Sequence, residues 1–258
     1  MTRARGSHAP SLLTLVRRAL SECEIGAGSI VLVACSGGPD STALLHALTL
    51  LRERARFEVR AHGVDHGLRP EAAAELDLVE RFAAELGVPF GRSRLAVAPG
   101  GNLQERARLA RIDALRAAAR RVGATTIATG HTADDRAETL LMRLVRGTGP
   151  RGLAVLPPRA GDLARPLLRA TRADVLLHVQ RHGLVTSMDP SNENPRFLRV
   201  RVRREVMPLL SSLSPRAVQA ICALADDMLA LELPPSPDAG MTRRQRAARA
   251  KVEPAKPG

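Results

Sequence analysis

The sequence contains no tryptophan, no tyrosine and only four phenylalanines. That poverty argues against a reader of single strands, which stacks bases on aromatic side chains. Cysteine is scarce too: Cys23, Cys35 and Cys222 form an odd set without a Cys-x-x-Cys pair. Neither a disulfide scaffold nor a zinc site follows from such spacing, and a reducing, cytoplasmic setting is expected. No apolar run approaches the ~20 residues that cross a bilayer, so no membrane partner is expected. The N-terminal run Leu12-Leu13-Thr14-Leu15-Val16 is too short and too interrupted for a secretory signal. Acid is outnumbered by base, with 26 Asp and Glu against 39 Lys and Arg and a formal net charge of +13. Such an imbalance points to a polyanionic partner, nucleic acid first.

What the chain does have is one organising stretch, Ser29-Ile30-Val31-Leu32-Val33-Ala34-Cys35-Ser36-Gly37-Gly38-Pro39-Asp40-Ser41-Thr42. The run from Ile30 to Cys35 has no polar alternation, which predicts a strand buried on both faces of a parallel sheet. A Gly-Gly turn follows, then a helical pattern. Gly37 and Gly38 let the backbone approach a ligand closely, and the new helix aims free amides and a partial positive charge into the turn. Phosphate is the expected occupant. The stretch matches neither the lysine-bearing phosphate loop nor the Gly-x-Gly-x-x-Gly dinucleotide fingerprint.

The 258 residues suffice for a full core. Residues 1–27 read as an N-terminal helix and residues 28–185 as a nucleotide-binding domain. Within it, strands are expected at 57–64, 89–97 and 125–130, alternating with helices. Gly87, Asn102 and Gly123 mark helix ends. Such alternation predicts an α/β fold with a doubly wound parallel sheet. Ligands in such sheets bind beyond the carboxyl ends of the strands, so residues 36–41, 65–66 and 131–135 should meet there. Beyond Gly147 the texture turns loop-rich. Arg165-Pro166-Leu167-Leu168 reads as short and extended, and 172–182 as a helix. Residues 186–233 read as a helical segment built on helices at 196–213 and 215–231. Residues 234–258 are Pro-, Ala- and Arg-rich with little to bury, and read as a disordered basic tail.

Two groups of residues carry chemistry. Asp40, in the first turn after the glycines, offers carboxylate oxygen to a hard cation such as Mg²⁺. Its plain alternative is an acid that stabilises a helix N-terminus. His131, Asp134, Asp135 and Glu138 follow the fourth strand. Their spacing places 131 with 135, and 134 with 138, on shared helix faces. Carboxylates there suit either Mg²⁺ or an ammonium group.

The motif Ser36-Gly37-Gly38-Pro39-Asp40-Ser41 resembles the pyrophosphate loop of the ATP-pyrophosphatase (PP-loop) superfamily. A second motif, Gly130-His131-Thr132-Ala133-Asp134-Asp135-Arg136-Ala137-Glu138-Thr139, is similar to a signature of the tRNA(Ile)-lysidine synthases. So are His66-Gly67-Leu68-Arg69, Asn102-Leu103, Arg143-x-x-Arg146-Gly147-Thr148-Gly149, Arg165-Pro166-Leu167-Leu168 and Asp189-Pro190-Ser191-Asn192. The resemblance implies a Rossmann-like fold of the adenine nucleotide alpha-hydrolase type with a C-terminal helical subdomain. It also implies a reaction: adenylation of C2 of the first anticodon cytidine by ATP, then displacement of AMP by free lysine. It places ATP at Ser36, Gly37, Gly38, Pro39, Asp40, Ser41, His66 and His131, and Mg²⁺ at Asp40. Lysine falls to Asp134, Asp135 and Glu138, and catalysis to Asp40, Asp135 and Glu138. The tRNA falls to Arg108, Arg111, Arg143, Arg146, Arg201 and Arg203. The chain departs from the family at Val200, in place of an Asn, and at Arg204, in place of a His. A tRNA thiolase of the same superfamily and a non-catalytic basic RNA-binding protein are the competing readings. Oligomeric state stays open, with a homodimer among the options.

Overall fold

The computed structural model describes residues 10–65, 67, 72–95, 103–187 and 198–231. Six strands form one sheet in the order β3-β2-β1-β4-β6-β5. These are β1 (Ile30–Cys35), β2 (Glu58–Asp65), β3 (Phe90–Arg94), β4 (Thr126–Ala128), β5 (Arg159–Ala160) and β6 (Leu163–Ala164). β1 pairs in parallel with β2 on one side and β4 on the other. The sheet therefore reverses its winding at β1, and its switch point lies between β1 and β4. The loops that leave these two strands face one crevice.

The missing alternation in β1 is explained by its two neighbours. Val31, Val33 and Cys35 join the larger core with α1 (Leu12–Glu22), α2 (Pro39–Ala55) and α7 (Arg172–Arg181). Leu32 points the other way, to Ile127 of β4 and to Leu115, Ala118 and Ala119 of α4 (Leu103–Arg121). Residues 31–35 thus lose apolar surface to one helix layer or the other. α2 is buried along most of its length, from Ser41 to Leu48. α1 is held at its start by Ser11, whose side chain accepts from the Thr14 amide.

α3 (Ala72–Glu85) covers β2 and β3, and α5 (Ala133–Val145) carries the strand-end acids forward. The short α6 (Pro150–Leu153) and the helical stretch from Leu198 to Ala230 pack on α5. Leu140 of α5 meets Leu153, Val155 and Ala225, and Ala137 meets Val202 and Met207. The fully buried Arg136 fixes this layer. Its Nη1 donates to Asp226 Oδ1 of α10 (Ala217–Ala230) at 2.7 Å, and its Nε donates to the Val155 carbonyl at 3.1 Å.

Three details differ from the sequence reading. Residues 165–168 fold back instead of extending. Pro166 sits second in a turn closed by Leu168 N–H donating to the Arg165 carbonyl at 3.1 Å, which buries Leu167 and Leu168. The two-residue strands β5 and β6 pair antiparallel and extend the sheet beyond β4, so the sheet is mostly and not wholly parallel. The stretch 198–213 is one helix with a widened middle: α8 (Leu198–Arg201), a π turn at Val202–Val206, then α9 (Met207–Leu213). Pro208 has no N–H to donate, and the π turn just before it absorbs the break. His66, Asn102, Asp189-Pro190-Ser191-Asn192, Arg196, Phe197 and the basic tail lie outside the described residues.

Candidate active site

The loop after β1 is tied by its own hydroxyls. Ser41 Oγ accepts from the Ser36 amide at 3.2 Å and donates to the Gly38 carbonyl at 3.1 Å. Pro39 opens α2, where a missing N–H does no harm, and Gly38 is its N-cap. Gly37 has φ +83°, and a Cβ there would stand 2.7 Å from Ser187 Oγ. Ser187 N–H donates to the Gly37 carbonyl at 2.8 Å, so the segment after α7 seats the loop from outside. No sequence signal marked Ser187. Gly130, at the end of β4, is required for a different reason. A Cβ there would lie 3.1 Å from the Asp40 carbonyl carbon and the Ser41 nitrogen. The two strand-end motifs thus touch backbone to backbone.

Asp40 stands where they meet. Its Oδ1 is buried and has no hydrogen-bond partner. Burial first, and the charge of Asp135 second, push its carboxyl up to about 6. An orphaned, buried carboxylate oxygen beside a phosphate-type loop fits a hard divalent cation, which prefers such oxygens. In the metal-free protein, ionising Asp40 costs stability. The cost is complete above its folded value near 6 and disappears as pH falls toward the ordinary carboxylate range. Asp40→Asn should therefore melt higher than the unmodified protein at pH 7.5 without metal. The gap should close by about pH 4, read by thermal denaturation across pH.

Thr132 caps α5 and shares a capping box with Asp135. Asp135 Oδ2 accepts from the Thr132 amide at 2.9 Å, and its Oδ1 accepts from Arg199 Nη2 at 2.8 Å. Burial pushes the Asp135 carboxyl up, but Arg199, the Thr132 amide and Arg172 outweigh it and hold the group below the ordinary range. Glu138, one turn on, is 1% exposed. It accepts from Arg203 Nε at 2.6 Å and Arg199 Nε at 2.9 Å. Arg172 stands 3.7 Å from both acids. The three arginine side chains keep 29–41% of their exposure. Asp134 points elsewhere: its Oδ2 accepts from the Arg172 amide at 2.7 Å and caps α7. His131 pairs through Nδ1 with Thr129 Oγ1 at 2.9 Å. Burial drives its proton affinity down to about 4, so the ring is neutral near pH 7.

The arginines separate into two groups. Arg143 and Arg146 are exposed near the end of α5, with Arg143 Nη1 donating to the Gly152 carbonyl. Arg108 pairs with Glu105 and Arg201 with Glu205 on solvated helix faces. Arg111 is exposed on α4, near enough to His131 to oppose its protonation. Arg203 instead turns inward to Glu138, and Arg199, which the sequence reading left unassigned, turns with it. Their four-residue spacing was readable, but not their partner.

Residues 13–210 match the family model of the PP-loop domain. With the loop at the β1–β4 switch point, the chain is a PP-loop protein of the ATP-using class. Its relatives narrow that class. The tRNA(Ile)-lysidine synthase of Novosphingobium aromaticivorans is 44% identical over 210 residues, covering 78% of this chain and 63% of that one. The same enzyme of Thermobifida fusca is 40% identical over 225 residues, covering 85% and 69%. That of Symbiobacterium thermophilum is 41% identical, covering 78% and 44%. The chain belongs to the tRNA(Ile)-lysidine synthase family, and it spans about half to two thirds of the length of these relatives. Among solved structures, a U34-tRNA thiolase of Methanococcus maripaludis shares the fold with a TM-score of 0.73 at 17% identity, covering 91% of this chain and 89% of that one. Among the described residues, no helix is long and apolar enough to cross a membrane.

Proposed function

We propose that this chain ligates lysine to C2 of the first anticodon cytidine of tRNA(Ile), using ATP and releasing pyrophosphate and AMP, so that a CAU anticodon reads AUA as isoleucine. The observation that carries this reading is the pairing of two unlike sites in one crevice. A phosphate-type loop with the unpartnered Asp40 lies beside two buried acids, Asp135 and Glu138, that hold cations.

In the first step the cytidine C2 oxygen attacks the α-phosphorus of ATP, and the bond to pyrophosphate breaks. Residues 36–41 hold the departing phosphates with backbone amides at the start of α2. Asp40 would hold a magnesium ion, which would supply positive charge to those phosphates. His131, kept neutral, offers a hydrogen bond without adding charge. In the second step the lysine ε-amine attacks C2, and AMP leaves with the C2 oxygen. The ammonium must first shed a proton, and Asp135 and Glu138 bind and orient it for that. Arg199 and Arg203 hold the two acids until lysine displaces them. Arg108, Arg111, Arg143, Arg146 and Arg201 offer positive charge to the tRNA backbone.

A thiolase would need reactive sulfur. The three cysteines are buried and free, and burial pushes Cys23 to about 11, Cys35 to about 12 and Cys222 to about 11. Thiols so raised are poor nucleophiles. Pyrophosphate release tests the proposal: it should require tRNA(Ile) and proceed without any sulfur donor. Release that ignores tRNA, or that demands a sulfur donor, would refute it.

A further inference from the structure

Away from the crevice, three of the seven histidines come together. His46 lies on α2, while His178 and the C-cap residue His182 lie one turn apart on α7. The three rings have centroids 4.4–5.1 Å apart, and His46 Nδ1 stands 2.9 Å from His178 Nε2. One nitrogen from each ring can be chosen so that all three lie within 4.8 Å of one another. His46 is 9% exposed and His178 6%, while His182 opens to solvent.

We propose that His46, His178 and His182 form a binding site for a divalent transition metal of the zinc class, clamping α2 to α7. Imidazole nitrogen without carboxylate suits zinc and its neighbours and does not suit magnesium or calcium, which take oxygen. Zinc–nitrogen bonds of about 2.0–2.1 Å at tetrahedral angles place ligand atoms roughly 3.3 Å apart. The cluster reaches that spacing through small ring rotations. Water completes the fourth position on the open side, next to His182.

The clamp has a structural meaning. His46 lies six residues beyond Asp40 on α2, and His178 lies six beyond Arg172 on α7. The same two helices that present the metal-type acid and one latch arginine are joined a turn and a half further along. Cysteine spacing says nothing of such a site, because its ligands are histidines 132 and 136 residues apart in sequence across two helices.

The test uses the full chain without a histidine tag, stripped with chelator and titrated with zinc or cobalt(II). One equivalent should be retained through gel filtration. Cobalt should show the visible absorption of a tetrahedral site, and zinc should raise the melting temperature. His182→Gln, on an exposed side chain, and His178→Gln should each weaken binding by at least ~10²-fold, at or beyond the ~10–100-fold that outer partners cost. Asp40→Asn should leave zinc binding intact, which separates this site from the crevice. The clamp is overturned if no equivalent is retained. It is equally overturned if binding survives both histidine variants, or if it is lost in Asp40→Asn.

Discussion

Asp40→Asn should abolish tRNA-dependent pyrophosphate release, by on the order of 10³-fold or more, since a positioned divalent cation contributes several kcal/mol of charge stabilisation. The same variant should keep the native circular dichroism and melt no lower than the unmodified protein near neutral pH without metal. Both outcomes follow from one observation: Oδ1 is buried and makes no hydrogen bond, so the fold gains nothing from its charge. A structural acid would behave the other way, with stability lost alongside activity. Magnesium titration sharpens the contrast. The unmodified protein with ATP should show saturation, and the variant should not recover at raised magnesium. Near-normal turnover by Asp40→Asn would remove the residue from the metal site.

Glu138→Gln should raise the lysine KM by about 10²-fold or more and the ATP KM far less. Truncating or neutralising one member of a buried charge pair costs about 2–5 kcal/mol, and each 1.4 kcal/mol is tenfold. Gln keeps the shape of Glu138, so the loss is electrostatic. The variant also leaves Arg199 and Arg203 short of a partner, but both reach solvent, so their stability cost falls well below that of a sealed pair. Asp135→Asn is a blunter probe, because Asp135 also closes the capping box of α5. Steady-state kinetics with lysine and ATP varied separately decide the matter. Equal rises in both KM values would assign Glu138 to the nucleotide or its metal, and no change in either would remove it from the site.

The strand–turn–helix units were legible because their signals are local. An unbroken apolar run, a Gly-Gly turn and a cap residue each act within a few positions, and β1, β4, α2 and α5 follow from them. The meeting of residues 36–41 with 131–135 was legible too, since parallel crossovers gather strand ends, and Gly130 packs against the Asp40 backbone. What stayed hidden was long-range pairing. Nothing local marks Arg136 as the buried partner of Asp226, or Ser187 as the seat of the Gly37 carbonyl. Asp134, Asp135 and Glu138 look alike in sequence, yet one caps α7 and the other two hold arginines. Helix periodicity gives Arg199 and Arg203 a common face but not its direction, and the π turn before Pro208 adds a local change of pitch. The strands β5 and β6 were missed because two residues carry no period.

Lysine transfer to the anticodon is the product that distinguishes this ligation from any other use of ATP. The purified chain, incubated with ATP, magnesium, labelled lysine and a tRNA(Ile) transcript bearing CAU, should place label on the tRNA. Nuclease digestion should then release a single modified cytidine from the first anticodon position, heavier than cytidine by lysine less one water. Label should vanish when ATP is omitted and when that cytidine is replaced by uridine. Pyrophosphate release with no lysine on the tRNA, or label spread to other positions, would rule out lysine ligation at that cytidine.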